Sequence, residues 1–263
     1  MEKLIERAVR DLCGSAYAIA LTGAGISTES GIADFRGPSG IWARDPEAER
    51  RAYRSYEKFL RNPKEWWEER LTSPSLLGNL EKAVPNPGHY ALTELERLGI
   101  LKCVITQNVD GLHQKAGIMN LFEYHGSVLK LRCVSCGLRF AQDAFDLEKL
   151  RREDQLPPRC PKCGGIIKTD GVAFGEPIPG DVASQSLEEA GKCDLMLICG
   201  TSAVVYPFAN LPRFARERGK TIIIEINADP TPLTEEGISD YLIQGKTGEI
   251  LPKIVEGVKK AVK

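Results

Sequence analysis

Short, continuously apolar segments alternate with helical patterns along this chain, and no other feature of the sequence restricts the fold as strongly. Five such segments occupy positions 16–24, 102–108, 194–202, 220–227 and 240–245. Between them, apolar residues recur at helical spacing, for example over 89–98, 203–218 and 249–262. Strands that are apolar throughout and alternate with helices predict an α/β fold built on a doubly wound, parallel, Rossmann-like sheet.

Two stretches interrupt this alternation. Residues 37–86 are polar and helix-prone, and residues 126–170 hold four closely spaced cysteines but few buried-strand signals. We interpret both as insertions that pack together into a second, smaller module, which combines a zinc ribbon with a helical part. The predicted Rossmann-like domain then comprises residues 1–36, 87–125 and 171–263.

A glycine-rich turn follows the first predicted strand directly. Gly23 and Gly25 allow backbone N–H groups to approach a phosphate, although the dehydrogenase pattern has a third glycine where this chain has Thr28. The adjoining loop carries an aspartate, a phenylalanine and an arginine at 34–36, which also suit a loop-stabilising ion pair and a core anchor. Since parallel sheets bind ligands at the carboxyl ends of their strands, the turn favours nucleotide binding.

Polar groups also follow the second predicted strand. Gln107, Asn108 and Asp110 suit an amide and a ribose better than a phosphate, although Asp110 also fits an Asx turn with a helix N-cap. His125 ends a short apolar segment and is the best candidate for a general base, because an imidazole titrates near neutral pH. His89 and His113 are interpreted as structural.

The eight cysteines divide into two groups of four. Four lie singly within apolar patterns, where a free thiol behaves as a small hydrophobic side chain. The others form two Cys-x-x-Cys pairs, each followed by a glycine, and predict a structural tetrahedral Zn²⁺ site with no open position. Its ligands are Cys133, Cys136, Cys160 and Cys163.

Charge and hydropathy exclude several classes of partner. The formal net charge is −1, so no overall positive field draws the molecule to nucleic acid or to an anionic membrane. No apolar run reaches the length of a membrane span, and residues 1–14 lack the core of a signal peptide. We therefore expect a cytoplasmic protein without membrane or direct nucleic-acid partners.

Taken in order, these motifs resemble those of the sirtuin family, the NAD-dependent protein lysine deacylases. The resemblance covers nearly the whole chain and is of the prokaryotic type. It rests on GAGISTESGIADFRG, TQNVDGLHQKAG, the HG of residues 125–126, both cysteine pairs, GVAFGE, CGTSAVVYP and the IN of residues 226–227.

The resemblance implies an NAD site and a site for acyl-lysine protein substrates bound as an extended peptide. Its implied catalytic residues are His125 and Asn108. The implied NAD contacts are Gly23, Ala24, Gly25, Ala33, Asp34, Phe35, Arg36, Gln107, Asn108, Val109, Asp110, Gly200, Thr201, Ser202, Asn227 and Thr247. The implied substrate contacts are Val172, Phe174, Gly175, Glu176 and Val204.

The resemblance also implies a reaction in which NAD is consumed. The acyl oxygen of the modified lysine attacks C1′ of the nicotinamide ribose, nicotinamide leaves, and His125 then activates a ribose hydroxyl that takes over the acyl group. Lysine and O-acyl-ADP-ribose are the products. Relatives that prefer acidic acyl groups carry a Tyr-x-x-Arg pair where our alignment places Arg70 and Ser73, so we expect acetyl or apolar acyl groups.

Two other functions remain open at this stage. The same activated sugar could pass ADP-ribose to a protein, in which case no O-acyl-ADP-ribose would form. Alternatively, the cysteine module could bind nucleic acid through its arginines, although acidic residues interleave with them. Those arginines are Arg132, Arg139, Arg151, Arg152 and Arg159.

Overall fold

The computed structural model describes residues 1–38, 40–73, 80 and 82–262, so residues 39, 74–79 and 81 of the predicted helical insertion lie outside the described residues. The strands of the described part are β1 Ala18–Thr22, β2 Leu101–Thr106, β3 Leu121–Glu123, β4 Lys130–Cys133, β5 Arg139–Ala141, β6 Ile167–Thr169, β7 Leu195–Cys199, β8 Ile222–Asn227 and β9 Tyr241–Gln244. Its helices are α1 Glu2–Gly14, α2 Ile41–Arg44, α3 Pro46–Arg61, α4 Pro63–Thr72, α5 Pro87–Arg97, α6 Leu112–Ala116, α7 Leu147–Arg152, α8 Gly180–Lys192, α9 Leu211–Arg218, α10 Pro232–Glu235 and α11 Thr247–Ala261.

The main sheet has six strands in the order β3-β2-β1-β7-β8-β9, and every neighbouring pair is parallel. The chain moves outward from β1 to β3 on one side and from β7 to β9 on the other. The strand order therefore reverses between β1 and β7, where open α/β sheets form ligand crevices. The predicted doubly wound parallel sheet is confirmed, and β3 adds a short edge strand to the five predicted.

Each face of this sheet is covered by helices, which explains why its central strands are apolar throughout. On one face, α1, α5 and α11 bury side chains such as Leu12, Leu92 and Leu251 completely. On the other, α8 and α9 pack around Phe208 and Met196. Burying each such side chain contributes about 1.5–3 kcal/mol, so the sheet and its helices form the main core.

The two inserted stretches pack against each other, as predicted. An antiparallel sheet in the order β5-β4-β6 lies against α3 and α4. Trp67 of α4 is 1% exposed, contacts the cluster that includes Leu131, and donates its indole N–H to the carbonyl oxygen of Ile167 at 2.9 Å. The small module therefore has its own apolar core, while the exact residues at which it begins and ends stay a prediction.

In the described ranges, no helix combines the length and the apolar content that a membrane span requires.

Two histidines lie buried side by side beneath the main sheet's carboxyl edge. His89 is 0% and His113 1% exposed, and their ring centroids are 5.0 Å apart. Burial lowers the pKa of His89 to about 4, and burial together with the neighbouring His89 lowers that of His113 to about 3. Both rings are therefore neutral in the folded protein, as their interpretation as structural residues requires.

These histidines should make the protein sensitive to acid. Below pH 6.5 the unfolded chain protonates both rings whereas the folded chain does not, so the free energy of unfolding falls as the pH drops from 6.5 towards 4. Each ring contributes a slope of about 1.4 kcal/mol per pH unit. His89→Gln should remove one such slope in urea titrations between pH 4.5 and 6, with no change of slope above pH 7.5. An unchanged acid slope would contradict this account.

Candidate active site

One cavity of about 690 Å³ lies at the carboxyl edge of the main sheet. Its size is within the usual range for ligand pockets. Residues at or just beyond the ends of all six parallel strands contribute to its wall. For β1, β2, β3, β7, β8 and β9, in that order, these are Ala24, Gln107, His125, Gly200, Asn227 and Gly245. The cavity therefore spans the point at which the strand order reverses.

The structure brings almost all of the predicted site residues to this cavity. The catalytic candidates His125 and Asn108 line it, as do the five proposed peptide contacts and the NAD candidates other than Gly23. Gly23 lies directly behind the wall, where its carbonyl oxygen accepts a hydrogen bond from the side chain of Asn108. These positions are consistent with the predicted roles.

Two loops meet backbone to backbone at the centre of the cavity wall. The Gly25 N–H donates to the carbonyl oxygen of Gly200 at 2.8 Å. A Cβ atom on Gly25 would lie 2.8 Å from the Cα atom of Gly200, so no larger residue fits here. This contact joins the ends of β1 and β7 and leaves bare backbone facing the cavity, as phosphate binding requires.

Asn108 and Gln107 are oriented by neighbouring loops. The Asn108 amide nitrogen donates to the Gly23 carbonyl oxygen at 3.0 Å and to the Ser27 hydroxyl at 3.1 Å. Gln107 donates from Nε2 to the Thr201 hydroxyl at 2.7 Å. Both bonds use the NH₂ group of Asn108. Its side-chain carbonyl oxygen accepts no hydrogen bond from the described residues and is available to a ligand.

Asp110 is a buried carboxyl group, only 5% exposed. Burial raises its pKa, and hydrogen bonds from the Leu112 N–H at 2.9 Å and the Ser27 hydroxyl at 2.7 Å oppose that increase. Both donors bind the ionised form preferentially. Asp110 therefore forms the predicted Asx turn through the Leu112 N–H and also lines the cavity.

His125 follows β3, and its ring packs against those of Tyr124 and Phe208 at centroid distances of 5.6 and 6.3 Å. Burial lowers the pKa of His125 to about 4, although a hydrogen bond to the backbone of Gln107 acts in the opposite direction. The ring is therefore neutral at pH 7. A neutral imidazole with one nitrogen unprotonated can accept a proton.

The loop that contains residues 33–36 is folded on itself beside the cavity mouth. The carboxylate of Asp34 accepts the Gly37 N–H at 3.1 Å, and no ion pair joins Asp34 to Arg36 in the part of the chain that the structure describes. Phe35 packs on Trp42 at 5.0 Å, and Trp42 lies 6.5 Å from Phe174. The aspartate therefore stabilises a turn, and the phenylalanine belongs to an aromatic wall.

The far end of the cavity is formed by β8, β9 and the start of α11. Asn227 donates from its side chain to the carbonyl oxygens of Thr201 and Asp229, at 3.2 and 3.0 Å. Thr247 is 3% exposed, and its buried hydroxyl has no hydrogen-bond partner among the described residues. A buried polar atom of this kind at a cavity wall fits a polar ligand, such as a nucleoside.

The four cysteines predicted to bind zinc lie together at one end of the small sheet. Their sulfur atoms all lie within 4.8 Å of one another, with 3.5 Å between those of Cys133 and Cys163. Gly137 and Gly164 turn the two loops with positive φ angles of 73° and 72°. Four thiolates at tetrahedral spacing fit Zn²⁺ and leave no position for an activated water. The predicted zinc site is therefore confirmed as a cluster that can bind the ion.

The sequence analysis did not identify Ser27 or a group of buried charges. Ser27 is fully buried and forms hydrogen bonds with both Asn108 and Asp110. Its position in the glycine-rich motif GAGIS is the sequence feature that could have identified it. Arg132, interpreted as part of a solvated face of mixed charge, is instead buried and pairs with Asp170 and with Glu176, at 3.0 and 2.7 Å. This correction follows from tertiary partners that a sequence pattern does not show.

Comparison with known proteins agrees with this geometry. A model of the Sir2 family matches residues 23–207. The chain is 43% identical over 252 residues to NAD-dependent protein deacylase 2 of Pyrobaculum aerophilum, covering 96% of this chain and 95% of that protein.

Solved structures are similar over the full length as well. One is a Sir2 homologue mutant in complex with 2′-O-acetyl ADP-ribose, at 40% identity, a TM-score of 0.77, and coverage of 100% of this chain and 98% of that one. Another is a Sir2 enzyme bound to a myristoylated histone peptide, at 38% identity, a TM-score of 0.69, and coverage of 100% and 99%. This chain belongs to the Sir2 family.

Proposed function

We propose that this protein is an NAD-dependent protein lysine deacylase, which transfers the acyl group of a modified lysine to ADP-ribose and releases nicotinamide. The observation that carries the proposal is that a single cavity joins a neutral buried imidazole to the backbone contact between Gly25 and Gly200. Relatives named for this activity, and a homologue solved with 2′-O-acetyl ADP-ribose, support it.

The cavity fits NAD along its length. Backbone at Gly25 and Gly200 suits the pyrophosphate, while the orphaned hydroxyl of Thr247 and the side chain of Asn227 suit the adenosine end. Asn108 and Asp110 would face the nicotinamide and its ribose. When bound, NAD supplies an electrophilic sugar carbon, C1′, to which the acyl oxygen can bond.

The protein's own groups then have separate tasks. Asn108, oriented by Gly23 and Ser27, presents its carbonyl oxygen to the sugar. His125, neutral at pH 7, accepts the proton of a ribose hydroxyl so that the hydroxyl oxygen can take the acyl group. The aromatic wall of Phe35 and Trp42 limits access of water to the sugar.

Two segments at the cavity wall would receive the peptide. One contains Val172, Phe174 and Gly175, and the other contains Val204, which is 42% exposed. A peptide that adds as a strand between them gains affinity from backbone hydrogen bonds, so little sequence selectivity is expected. A Sir2 enzyme solved with a myristoylated histone peptide supports this class of substrate.

We also propose that acetyl and apolar acyl groups are preferred. Neither Arg70 nor Ser73 is among the described residues that line the cavity, and the Arg70 guanidinium lies 5.5 Å from the ring of Trp66. Phe174 instead packs against Tyr53 at 4.4 Å. An acyl carboxylate would thus meet aromatic rings without a paired guanidinium, which makes its desolvation costly.

The direct test is mass spectrometry of an acetyl-lysine peptide incubated with the protein, with and without NAD. The peptide should lose about 42 Da, the difference between an acetyl group and a hydrogen, only when NAD is present, and O-acetyl-ADP-ribose should accumulate in equal amount. A succinyl-lysine peptide of the same sequence serves as the matched control and should react more slowly. Consumption of NAD with the acetyl group intact would point to ADP-ribose transfer, and intact NAD would overturn the site assignment.

A further inference from the structure

Four charged side chains are buried between the small sheet and the cavity. Lys168 and Asp170 are 1% exposed in their side chains, Glu176 is 4% and Arg132 is 9%. We refer to these four residues as the ion network; outside it, Arg139 joins Asp170 to Asp181 at the surface. Isolated charges at such depth cost several kcal/mol each, so each must be paired to be tolerated.

Glu176 lies at the centre of the ion network. Its Oε1 atom accepts from the Arg132 guanidinium at 2.7 Å, and its Oε2 atom is 2.9 Å from the Lys168 ammonium. Oε2 also accepts the backbone N–H of Ala173 at 2.9 Å. Although Glu176 lies on the cavity wall, its carboxylate is thus fully occupied by the protein, which leaves it little capacity to bind the peptide itself.

The ion network binds a continuous stretch of backbone. The Lys168 ammonium donates to the carbonyl oxygens of Thr169 and Gly171 at 2.8 and 2.7 Å. Together with the bond from Ala173 to Glu176, these contacts hold the backbone of residues 169–173. The next residue, Phe174, is one of the proposed peptide contacts, and its N–H makes no hydrogen bond to the described residues.

The same charges lie next to His125. Asp170 accepts the Ser127 N–H at 3.2 Å, and the Val172 N–H donates to the carbonyl oxygen of His125 at 2.8 Å. The backbone segments that carry the proposed base and the proposed peptide contacts are therefore joined through one buried set of ion pairs. Replacing a buried ion pair with apolar side chains is often neutral or stabilising, so stability alone is a weak reason for the arrangement.

We propose that Glu176 is a positioning residue for the substrate. Held by Arg132 and Lys168, it fixes the Ala173 N–H and so keeps residues 172–175 in the shape that an incoming acyl-lysine strand can pair with. This inference rests on the proposed function, because it takes those residues as the peptide-binding segment. It assigns Glu176 no contact with the peptide or the sugar.

The test compares Glu176→Gln with the wild-type protein by fluorescence anisotropy of a labelled acetyl-lysine peptide in the presence of ADP-ribose. The amide cannot accept from all three donors, so segment 172–175 loosens and the Kd for peptide should rise about 10-fold. The Kd for ADP-ribose, measured alone, should change less than about 2-fold, because the Gly25 and Gly200 loops are not bound to Glu176. Amide exchange at Ala173 should accelerate, while exchange at Gly164 in the zinc loop should not.

Two further variants keep the test decisive. Glu176→Asp retains the charge but withdraws it by one methylene from Ala173, and it should weaken peptide binding in the same direction if Glu176→Gln does not fold. Arg139→Gln is the matched control, since Arg139 pairs with Asp170 and Asp181 but not with Glu176, and it should lower stability with peptide affinity unchanged.

Unchanged peptide affinity in folded Glu176 variants would overturn the inference, as would equal losses of peptide and ADP-ribose affinity in all three variants. If the wild-type protein binds ADP-ribose but no acyl peptide, the proposed function fails instead. The two failures are therefore distinguishable.

Discussion

Replacing His125 with alanine is expected to lower the rate of deacylation by a factor of about 10² to 10⁴, which corresponds to ~3 to 5 kcal/mol of activation free energy. The reason is that, in the proposed mechanism, the neutral ring is the group that accepts a ribose proton. Alanine removes the base without adding a charge or a larger side chain. Single-turnover rates with a saturating acetyl peptide would measure the effect.

The control for this variant is the step that needs no base. If His125 acts after nicotinamide has left, exchange of labelled nicotinamide into NAD should persist in His125→Ala, and the Kd for ADP-ribose should stay close to that of the wild-type protein. Loss of both exchange and ADP-ribose binding would mean that the variant is misfolded or that His125 acts earlier. Full deacylation activity in the folded variant would contradict the assignment.

Removing the metal from the cysteine cluster is expected to have the other large effect. Structural zinc sites contribute about 10 kcal/mol or more of folding free energy in isolated modules, and the small sheet depends on the two cysteine loops that frame it. Cys160→Ser should lose stoichiometric zinc and unfold the small module. Because β4 and β6 carry Arg132 and Lys168, peptide binding should be lost with it.

Zinc content by elemental analysis and thermal unfolding would measure this, with about one Zn²⁺ per chain expected in the wild-type protein. Cys13→Ser is the matched control, because Cys13 is exposed and remote from the cluster, and it should leave zinc content and unfolding temperature unchanged. Activity should be the same with and without millimolar Mg²⁺ in the buffer. It should be lost after prolonged treatment with a strong zinc chelator. Stoichiometric zinc and unaltered unfolding in Cys160→Ser would contradict the four-cysteine site.

Much of the fold and the placement of the site follow from local sequence patterns. The central strands are apolar on both faces because helices cover both faces, which makes segments such as β1 and β7 recognisable without any partner. Polar groups at their carboxyl ends can then be assigned to one edge of the sheet. The cysteine pairs are equally local, since each loop forms half of its metal site.

The features that sequence did not predict depend on contacts between distant segments. Arg132 and Lys168 lie in short strands whose alternation suggests a solvated face, and only their pairing with Asp170 and Glu176 explains their burial. Similarly, β3 has three residues of intermediate exposure, too few to show a period. Buried charges and very short strands depend on contacts between segments that are far apart in the sequence, so a local pattern does not predict them.

The position of β1 in the centre of the sheet also has a consequence for protein synthesis. Its glycine turn is synthesised before the opposing backbone at Gly200, which follows β7, and before Thr247, which begins α11. A nascent polypeptide therefore carries the first half of the cavity long before the second half exists. A nascent chain that does not yet include α11 therefore cannot enclose the pocket, so we expect no consumption of NAD before that helix has been made.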